Sequence, residues 1–144
     1  MNCYQCNLYP YSGIMPLDCQ SPFADLSISR AKVISPNYPS NYENYLNCQL
    51  TINVGLDKRV LLVFDEFKLV SSSSCNIGTD YLEVRNGNST GFGLIGTSLC
   101  GNSLPERILS TGPSVTLKFK TNFNITNKGF KLTAIGVGKQ YHKI

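Results

Sequence analysis

The sequence predicts an all-β domain, a sandwich or a barrel, that is cross-linked by disulfides. Short segments of alternating apolar and polar residues recur along the chain, turn residues separate them, and no segment keeps a 3.6-residue period for three turns. The chain has 144 residues, of which 42% are hydrophobic and 15% charged, so it can form one globular domain around one core. Its six cysteines account for the expected cross-links.

Five segments have the pattern of a strand. They are residues 49–54, 59–67, 82–85, 114–121 and 130–134. The second is almost continuously apolar, which is typical of a strand that is buried on both faces or crosses the core, whereas the others alternate. Asn86-Gly87 predicts a tight turn, and the two prolines within residues 35–39 exclude a central strand because each removes a backbone donor.

The cysteines predict structural disulfides and therefore an oxidising, extracellular compartment. Four of them are widely spaced: Cys19, Cys48, Cys75 and Cys100. Four cysteines allow three connectivities, which spacing alone does not decide. Two N-x-S/T sequons, at Asn88 and Asn124, lie in polar stretches that are typical of turns, and they agree with a secreted glycoprotein.

Residues 1–18 are rich in Tyr, Pro and Cys and show no periodicity, so we expect an irregular extension or the remnant of a neighbouring module. Cys3 and Cys6 form a C-x2-C pair there. Redox chemistry would need this pair at a helix N-terminus, and zinc would need two further ligands. We therefore expect a local Cys3–Cys6 disulfide or bonds to a neighbouring module. The opening residues 2–6 look like the start of a three-finger module, but nothing else of that fold follows.

Charge and hydropathy exclude two classes of partner. The net charge is +4 and the pI is about 8.7, without the dense Arg/Lys clustering of a nucleic-acid-binding protein. No run approaches the 18 apolar residues of a membrane span, and no apolar leader follows Met1. A secreted protein with this sequence would be a mature chain with an added Met or a piece of something longer.

The sequence offers little for catalysis, and we expect no enzymatic activity. The single histidine, His142, lies in the C-terminal tail, far from any motif that would hold it in place. Asp65 and Glu66 are adjacent, and adjacent side chains on a strand point to opposite faces. They are therefore not expected to form a paired-carboxylate site.

Two groups of residues are candidates for a ligand-binding surface. Lys118, Lys120 and Lys131 would share one solvent face if residues 115–121 and 129–135 formed a hairpin, and such a stripe could bind a sulfated glycan or an acidic partner. The alternative is an ordinary solvated face whose lysines discourage aggregation.

Three tyrosines, Tyr38, Tyr42 and Tyr45, lie in one loop. Exposed aromatic residues with polar tips suit interfaces. The alternative is that they pack the loop onto the end of the sandwich.

A series of motifs occurs in a fixed order along residues 19–135. It contains Cys19, residues 34–42 (Ile-Ser-Pro-Asn-Tyr-Pro-Ser-Asn-Tyr), Cys48, Val63-Phe64, Phe67, Leu69, Cys75, residues 80–84 (Asp-Tyr-Leu-Glu-Val), Asn86-Gly87, Cys100-Gly101, Pro105, Ser110, residues 115–120 and Gly129-Phe130. Each motif is weak alone, but the ordered series resembles a CUB domain, an extracellular module. Two positions depart from the family pattern: Gln20-Ser21 replaces the usual Gly-Gly, and Leu50 replaces an aromatic residue.

The resemblance implies a jelly-roll-like sandwich of two antiparallel sheets of about five strands each. It also implies two internal disulfides, Cys19–Cys48 and Cys75–Cys100. The domain is expected to span residues 19–136, with a C-terminal tail at residues 137–144.

Many CUB domains bind Ca²⁺ through a Glu, two Asp and a supporting Tyr, and this resemblance places the Tyr at Tyr42 and one Asp at Asp80. The Glu position is Val70 and the second Asp position is Asn122, so two of three carboxylates are missing. Because the number of charged ligands sets Ca²⁺ affinity, we expect no cofactor, although Glu66 lies near enough in sequence to offer a substitute. Asp80 is expected to bind backbone amides in a turn.

The resemblance implies a non-catalytic extracellular recognition module that binds a protein or an acidic glycan. Fold alone does not fix the ligand. One alternative is an accessory domain of a secreted protease or multidomain receptor whose other domains lie outside these residues. Another is a stand-alone, spermadhesin-like glycan-binding protein.

Overall fold

A computed structural model describes residues 13–17, 19–20, 24–70, 75, 79–122 and 125–142. These residues form strands and loops and contain no helix. The strands are β1 (Ile14–Pro16), β2 (Ala24–Ser27), β3 (Arg30–Ile34), β4 (Asn47–Asn53), β5 (Lys58–Lys68), β6 (Tyr81–Arg85), β7 (Ile108–Leu109), β8 (Ser114–Lys120) and β9 (Gly129–Gly138). Within the described ranges, nothing resembles a helix that could cross a membrane.

The strands form two sheets, which confirms the predicted all-β sandwich. One sheet has five strands in the order β1-β3-β9-β5-β7, and the other has four in the order β2-β4-β8-β6. All pairs are antiparallel except β1 with β3 and β2 with β4, which lie at sheet edges and are parallel. Within the part of the chain that the structure describes, the second sheet has four strands, where the resemblance implies about five.

The core lies between the two sheets and follows the alternation of the sequence. Inward-facing residues of β4, β8 and β9 are almost fully buried; they include Leu50, Ile52, Leu117, Phe119, Phe130 and Leu132. The ring of Phe119 lies between those of Tyr42 and Phe130, with edge-to-face geometry and 5.2 Å between centroids on each side. This row of aromatic rings connects the core to the loops at one end of the sandwich.

The described domain begins earlier than the sequence analysis expected. Residues 14–16, which we assigned to an irregular extension, form β1, and Met15 and Leu17 are buried in the core. The segment is apolar at every position, so it shows no period by which to recognise it. Pro16 is tolerated because β1 is an edge strand.

The tail assigned to residues 137–144 is also partly structured. β9 continues to Gly138, and the backbone carbonyl of Tyr141 accepts a hydrogen bond from Arg59.

Two disulfides join Cys19 to Cys48 and Cys75 to Cys100, the pairing that the resemblance implies. Their sequence separations are 29 and 25 residues. Closing loops of this size stabilises a fold by about 3–4 kcal/mol each on the loop-entropy account. Cys3 and Cys6 lie outside the described residues.

Ser35, in the motif of residues 34–42, contacts the distant Gly129-Phe130 motif directly. The Ser35 hydroxyl is fully buried and accepts a 2.9 Å hydrogen bond from the backbone N–H of Phe130. Gly129 has a φ of +96°, and a Cβ atom built on it would lie 1.9 Å from the Ser35 hydroxyl oxygen. A glycine is therefore required at position 129 for both backbone conformation and space.

Candidate functional site

The first candidate site lies at the loop end of the sandwich, where three segments meet at the Asp80 carboxylate. The Tyr42 hydroxyl donates a 2.7 Å hydrogen bond to one carboxylate oxygen, and the Asn122 backbone N–H donates a 2.8 Å bond to the other. The Val70 backbone N–H donates to the Tyr42 oxygen at 3.3 Å. The structure therefore brings together all four positions to which the resemblance assigned the calcium site.

This cluster is buried and internally satisfied. Asp80 has no exposed surface, and Tyr42 is 2% exposed. Burial raises the pKa of Tyr42 above its ordinary value, and the hydrogen bond to Asp80 raises it further. The bond from the Asn122 N–H agrees with the expectation that Asp80 is a turn carboxylate that binds a backbone amide.

The residues of this cluster do not fit a Ca²⁺ ion. Ca²⁺ takes six to eight oxygen ligands, usually with several carboxylates, whereas the cluster supplies one carboxylate whose two oxygens both accept protein hydrogen bonds. Among the described residues, no three His, Cys, Asp or Glu side chains lie close enough together to hold a metal. Glu66, the suggested substitute, is bound by Tyr38 and Lys128. That the protein needs no calcium stays a prediction.

The lysine stripe expected from the sequence does not form. β8 and β9 belong to different sheets, so residues 115–121 and 129–135 are not a hairpin. Lys118 and Lys120 project from the outer face of the four-stranded sheet. Lys131 projects from the outer face of the five-stranded sheet, between Ile34 and Glu66. The connection after β8 crosses from one sheet to the other, and local alternation carries no information about that crossing.

The expectation that the side chains of Asp65 and Glu66 point to opposite faces was also wrong. The β5–β9 register shifts between Phe64 and Glu66, so Asp65 is the extra residue of a β-bulge. Both carboxylates consequently project from the outer face of the five-stranded sheet. Asp65 accepts hydrogen bonds from Lys32 at 3.1 Å and from the Thr133 hydroxyl at 2.9 Å.

A second candidate site surrounds Glu66 on that outer face. The Tyr38 hydroxyl donates a hydrogen bond to Glu66, and the Lys128 ammonium lies 2.9 Å from the same carboxylate and 5.6 Å from the centre of the Tyr38 ring. We call Lys68, Lys128 and Lys131 the basic cluster. No sequence pattern indicated that Lys68 lies here, because its neighbour Gly129 on the paired strand is 61 positions away.

The electrostatics of the second site follow from these contacts. The hydrogen bond from Tyr38, then the contact with Lys128, lowers the pKa of Glu66 below its ordinary value. The same bond to Glu66 is the main reason that the pKa of Tyr38 is raised to about 12. The hydrogen bond thus favours the deprotonated form of Glu66 and the protonated form of Tyr38, which are the two forms that the bond requires.

The remaining sequence candidates are separate from these sites. Asn88 is exposed in the turn that follows β6, as glycosylation requires, whereas Asn124 lies outside the described residues. Tyr45 is 76% exposed, and His142 is also exposed. Tyr38 and Tyr42 of the same loop contact different carboxylates, Glu66 and Asp80.

One further feature had no sequence indication. An open groove of about 280 Å³ lies beside β7, and its lining includes Ile95, Leu99, Pro105, Arg107 and Ile108. Apart from β7 itself, its lining comes from the segment between β6 and β7, whose residues have no common pattern in the sequence.

Comparison with known proteins finds relatives that are much longer than this chain. Cubilin of the dog, Canis lupus familiaris, is 37% identical over 98 residues, which are 68% of this chain and 3% of cubilin. The extracellular region of zebrafish Gpr126/Adgrg6 superposes with a TM-score of 0.69 at 26% identity, over 80% of this chain and 14% of that one. The chain thus spans a small part of these longer proteins.

A third comparison concerns calcium. The crystal structure of the MASP-1 CUB2 domain bound to Ca²⁺ superposes with a TM-score of 0.67 over 78% of this chain and 96% of that domain. At 24% identity this likeness shows the shared fold alone. The model of the CUB domain family matches residues 19–133, most of the described sandwich. The chain therefore belongs to the CUB domain family.

Proposed function

We propose that the chain is a secreted, non-catalytic recognition module that binds an extracellular protein through the outer face of its five-stranded sheet. The observation that carries this proposal is the difference between the two outer faces. The face of the four-stranded sheet is polar, and its central cross-strand rows contain Gln49, Lys118 and Glu83, then Thr51, Thr116 and Arg85.

The outer face of the five-stranded sheet carries an aliphatic patch. It consists of Leu61, Val63, Leu109, Ile135 and Val137. Leu61 is almost fully buried, and the other four are partly exposed. A contiguous aliphatic surface on the outside of a small domain costs free energy in water unless a partner covers it, so it is the expected centre of a protein interface.

Cations border this patch and suggest the chemistry of the partner. Arg30 pairs across the sheet with Ile135, and Arg59 pairs with Val137. A partner surface with apolar residues inside an acidic rim would complement both features.

The experiment tests the domain for binding to an array of extracellular proteins and then measures how substitutions in the patch change the binding of each partner found. Ile135→Glu should abolish binding, because it places a charge in the aliphatic patch. Gln49→Glu on the polar face should preserve binding, and it is a matched control because both changes add one negative charge. Val137→Glu serves as a second patch variant if Ile135→Glu lowers the melting temperature. Equal binding by patch and control variants, or no binder at all, would refute the proposal.

A role within a longer secreted protein is the second candidate, supported by the small share of cubilin and of Gpr126/Adgrg6 that the chain matches. In that case the sandwich would present its aliphatic patch beside neighbouring modules. A mass-spectrometric disulfide map of the protein from its natural source tests both secretion and the extent of the chain. Reduced Cys19, Cys48, Cys75 and Cys100 in that material would contradict an extracellular role.

A further inference from the structure

The basic cluster carries more positive charge than its surroundings neutralise. Four lysines project from this end of the sheet face, Lys32 with the three members of the cluster, against two carboxylates. Lys32 pairs with Asp65 at 3.1 Å, and Lys128 pairs with Glu66 at 2.9 Å. Within the ranges that the structure describes, Lys68 and Lys131 form no ion pair, so this face carries two more ammonium groups than carboxylates.

Protection of a sheet edge does not account for Lys131. Lysines discourage aggregation when they lie on an edge strand, where backbone groups are unpaired. Lys131 lies on β9 and has a strand partner on each side, Ile34 on β3 and Glu66 on β5. Lys68 lies at the end of β5, which β7 does not reach, because β7 pairs with Leu61 and Leu62. The charge of Lys131 therefore needs another explanation.

One member of the cluster, Lys128, is held in place before any ligand arrives. Lys128 is fixed by its ion pair with Glu66 and by its position over the Tyr38 ring. Lys68 and Lys131 are diagonal neighbours, because Lys68 pairs with Gly129 and Lys131 with Glu66. Their α-carbons are thus roughly 7–8 Å apart on a regular pair of strands. Ordered cations lose less conformational entropy on binding than free ones.

We propose that the basic cluster binds a sulfated glycan chain. A glycan of this class combines repeated anionic groups, which suit Lys68 and Lys131, with hydroxyls that can donate to the neighbouring Asp65 and Glu66 carboxylates. An acidic peptide fits less well, because its side-chain carboxylates have no hydrogen-bond donor to offer those two carboxylates at neutral pH. This site is distinct from the aliphatic patch: Lys131 lies near the start of β9, and Val137 near its end.

The test uses a heparin-derived octasaccharide and isothermal titration calorimetry. Lys68→Gln/Lys131→Gln removes the uncompensated charges and keeps most of each side chain, and it should weaken binding at least about tenfold. Lys118→Gln/Lys120→Gln removes the same charge from the other sheet face and should leave the affinity within about twofold. Thermal unfolding of both variants checks that the fold is intact.

Three outcomes would overturn this inference. Equal weakening by both double variants would mean that only the net charge of the protein matters. Undetectable binding by the unchanged protein would exclude a sulfated glycan as the ligand of the basic cluster. A hexaglutamate peptide that binds as tightly as the octasaccharide would assign the cluster to an acidic protein instead. Binding on the protein array should survive Lys68→Gln/Lys131→Gln, so failure here is distinguishable from failure of the proposed function.

Discussion

The Tyr42 hydroxyl donates a 2.7 Å hydrogen bond to the Asp80 carboxylate, which lies 38 positions later in the chain. This bond ties the loop between β3 and β4 to the residue that precedes β6. The Tyr42 ring also packs edge-to-face on Phe119, so this one side chain attaches the loop to the core through both polar and apolar contacts. The cluster that the resemblance assigned to calcium is thus a structural support for this end of the sandwich.

Tyr42→Phe should destabilise the fold by about 1–3 kcal/mol. The change keeps the ring but leaves a buried Asp80 oxygen and the Val70 N–H without their partner, and unpaired buried polar groups cost this much. Urea unfolding of both proteins measures the difference. Tyr45→Phe is the control, since Tyr45 is 76% exposed, and it should stay within about 0.5 kcal/mol. Equal effects would show that the buried bond is not important.

Calcium should not stabilise the protein. A ligand that binds only the folded state raises the melting temperature as its concentration exceeds its dissociation constant. Because both Asp80 oxygens accept hydrogen bonds and no second carboxylate joins them in the described cluster, the melting temperature should be the same in millimolar Ca²⁺ and in EDTA. Mg²⁺ at the same concentration controls for ionic strength. A rise specific to Ca²⁺, lost in Asp80→Asn, would contradict this prediction.

Gly129→Ala should be among the most destabilising small substitutions in the chain. An alanine there must adopt a φ of +96° and place its Cβ 1.9 Å from the Ser35 hydroxyl oxygen. The conformational strain alone costs about 1–3 kcal/mol, and displacement of Ser35 adds the loss of its bond to Phe130. Gly93→Ala is the matched control, because nothing lies within 4 Å of its Cβ position and its φ is not positive.

The unfolding midpoints of the two glycine variants decide this prediction. We expect Gly129→Ala to lose about 3 kcal/mol or more and Gly93→Ala to change little. A loss below about 1 kcal/mol for Gly129→Ala would show that the backbone at this position relaxes freely.

The sequence was sufficient for five of the nine strands that the structure describes and for the core residues on them, since these depend on local patterns of apolar residues. β5 was expected at residues 59–67 and is Lys58–Lys68, and the inward residues of β8 are those that the alternation selected. The pairing of strands was not predictable in this way. Neighbours in sequence usually pair, but β8 and β9 belong to different sheets, and no residue of either strand encodes that separation.

The two candidate sites differ in how far they could be predicted from the sequence. Tyr42, Asp80 and Asn122 were placed together by the resemblance to a family, which carries long-range information. The contacts of Glu66 were not, because Tyr38 is 28 and Lys128 is 62 positions away, and a β-bulge turns Asp65 to the same face. An almost continuously apolar strand contains no alternation from which such a bulge could be recognised.

Acid should destabilise the protein partly through Glu66. The folded pKa of Glu66 is below its ordinary value of 4.5, so its contribution to stability is present above that value and is lost as the pH falls through the lower, folded pKa. Glu66→Gln should therefore show a smaller drop in melting temperature between neutral pH and acid than the unchanged protein. Glu43→Gln, which removes an exposed carboxylate outside the described ion pairs, should keep the full drop.

Tyr38 should be a late-titrating tyrosine, and Glu66 should be the cause. Its pKa of about 12 exceeds the ordinary value of 10.0, so the folded state favours neutral Tyr38, and the resulting stability is present below pH 10.0 and is lost as the pH rises through about 12. Phenolate absorbance of the unchanged protein minus that of Tyr38→Phe isolates this residue. In a Glu66→Gln background the same difference titration should move back toward 10.0, because the accepting carboxylate and its charge are gone. A titration that does not respond to Glu66→Gln would mean that the hydrogen bond between Tyr38 and Glu66 does not form in solution. Tyr38 would then not be fixed beside Glu66, and Lys128 would lose one of its two contacts, the one with the Tyr38 ring.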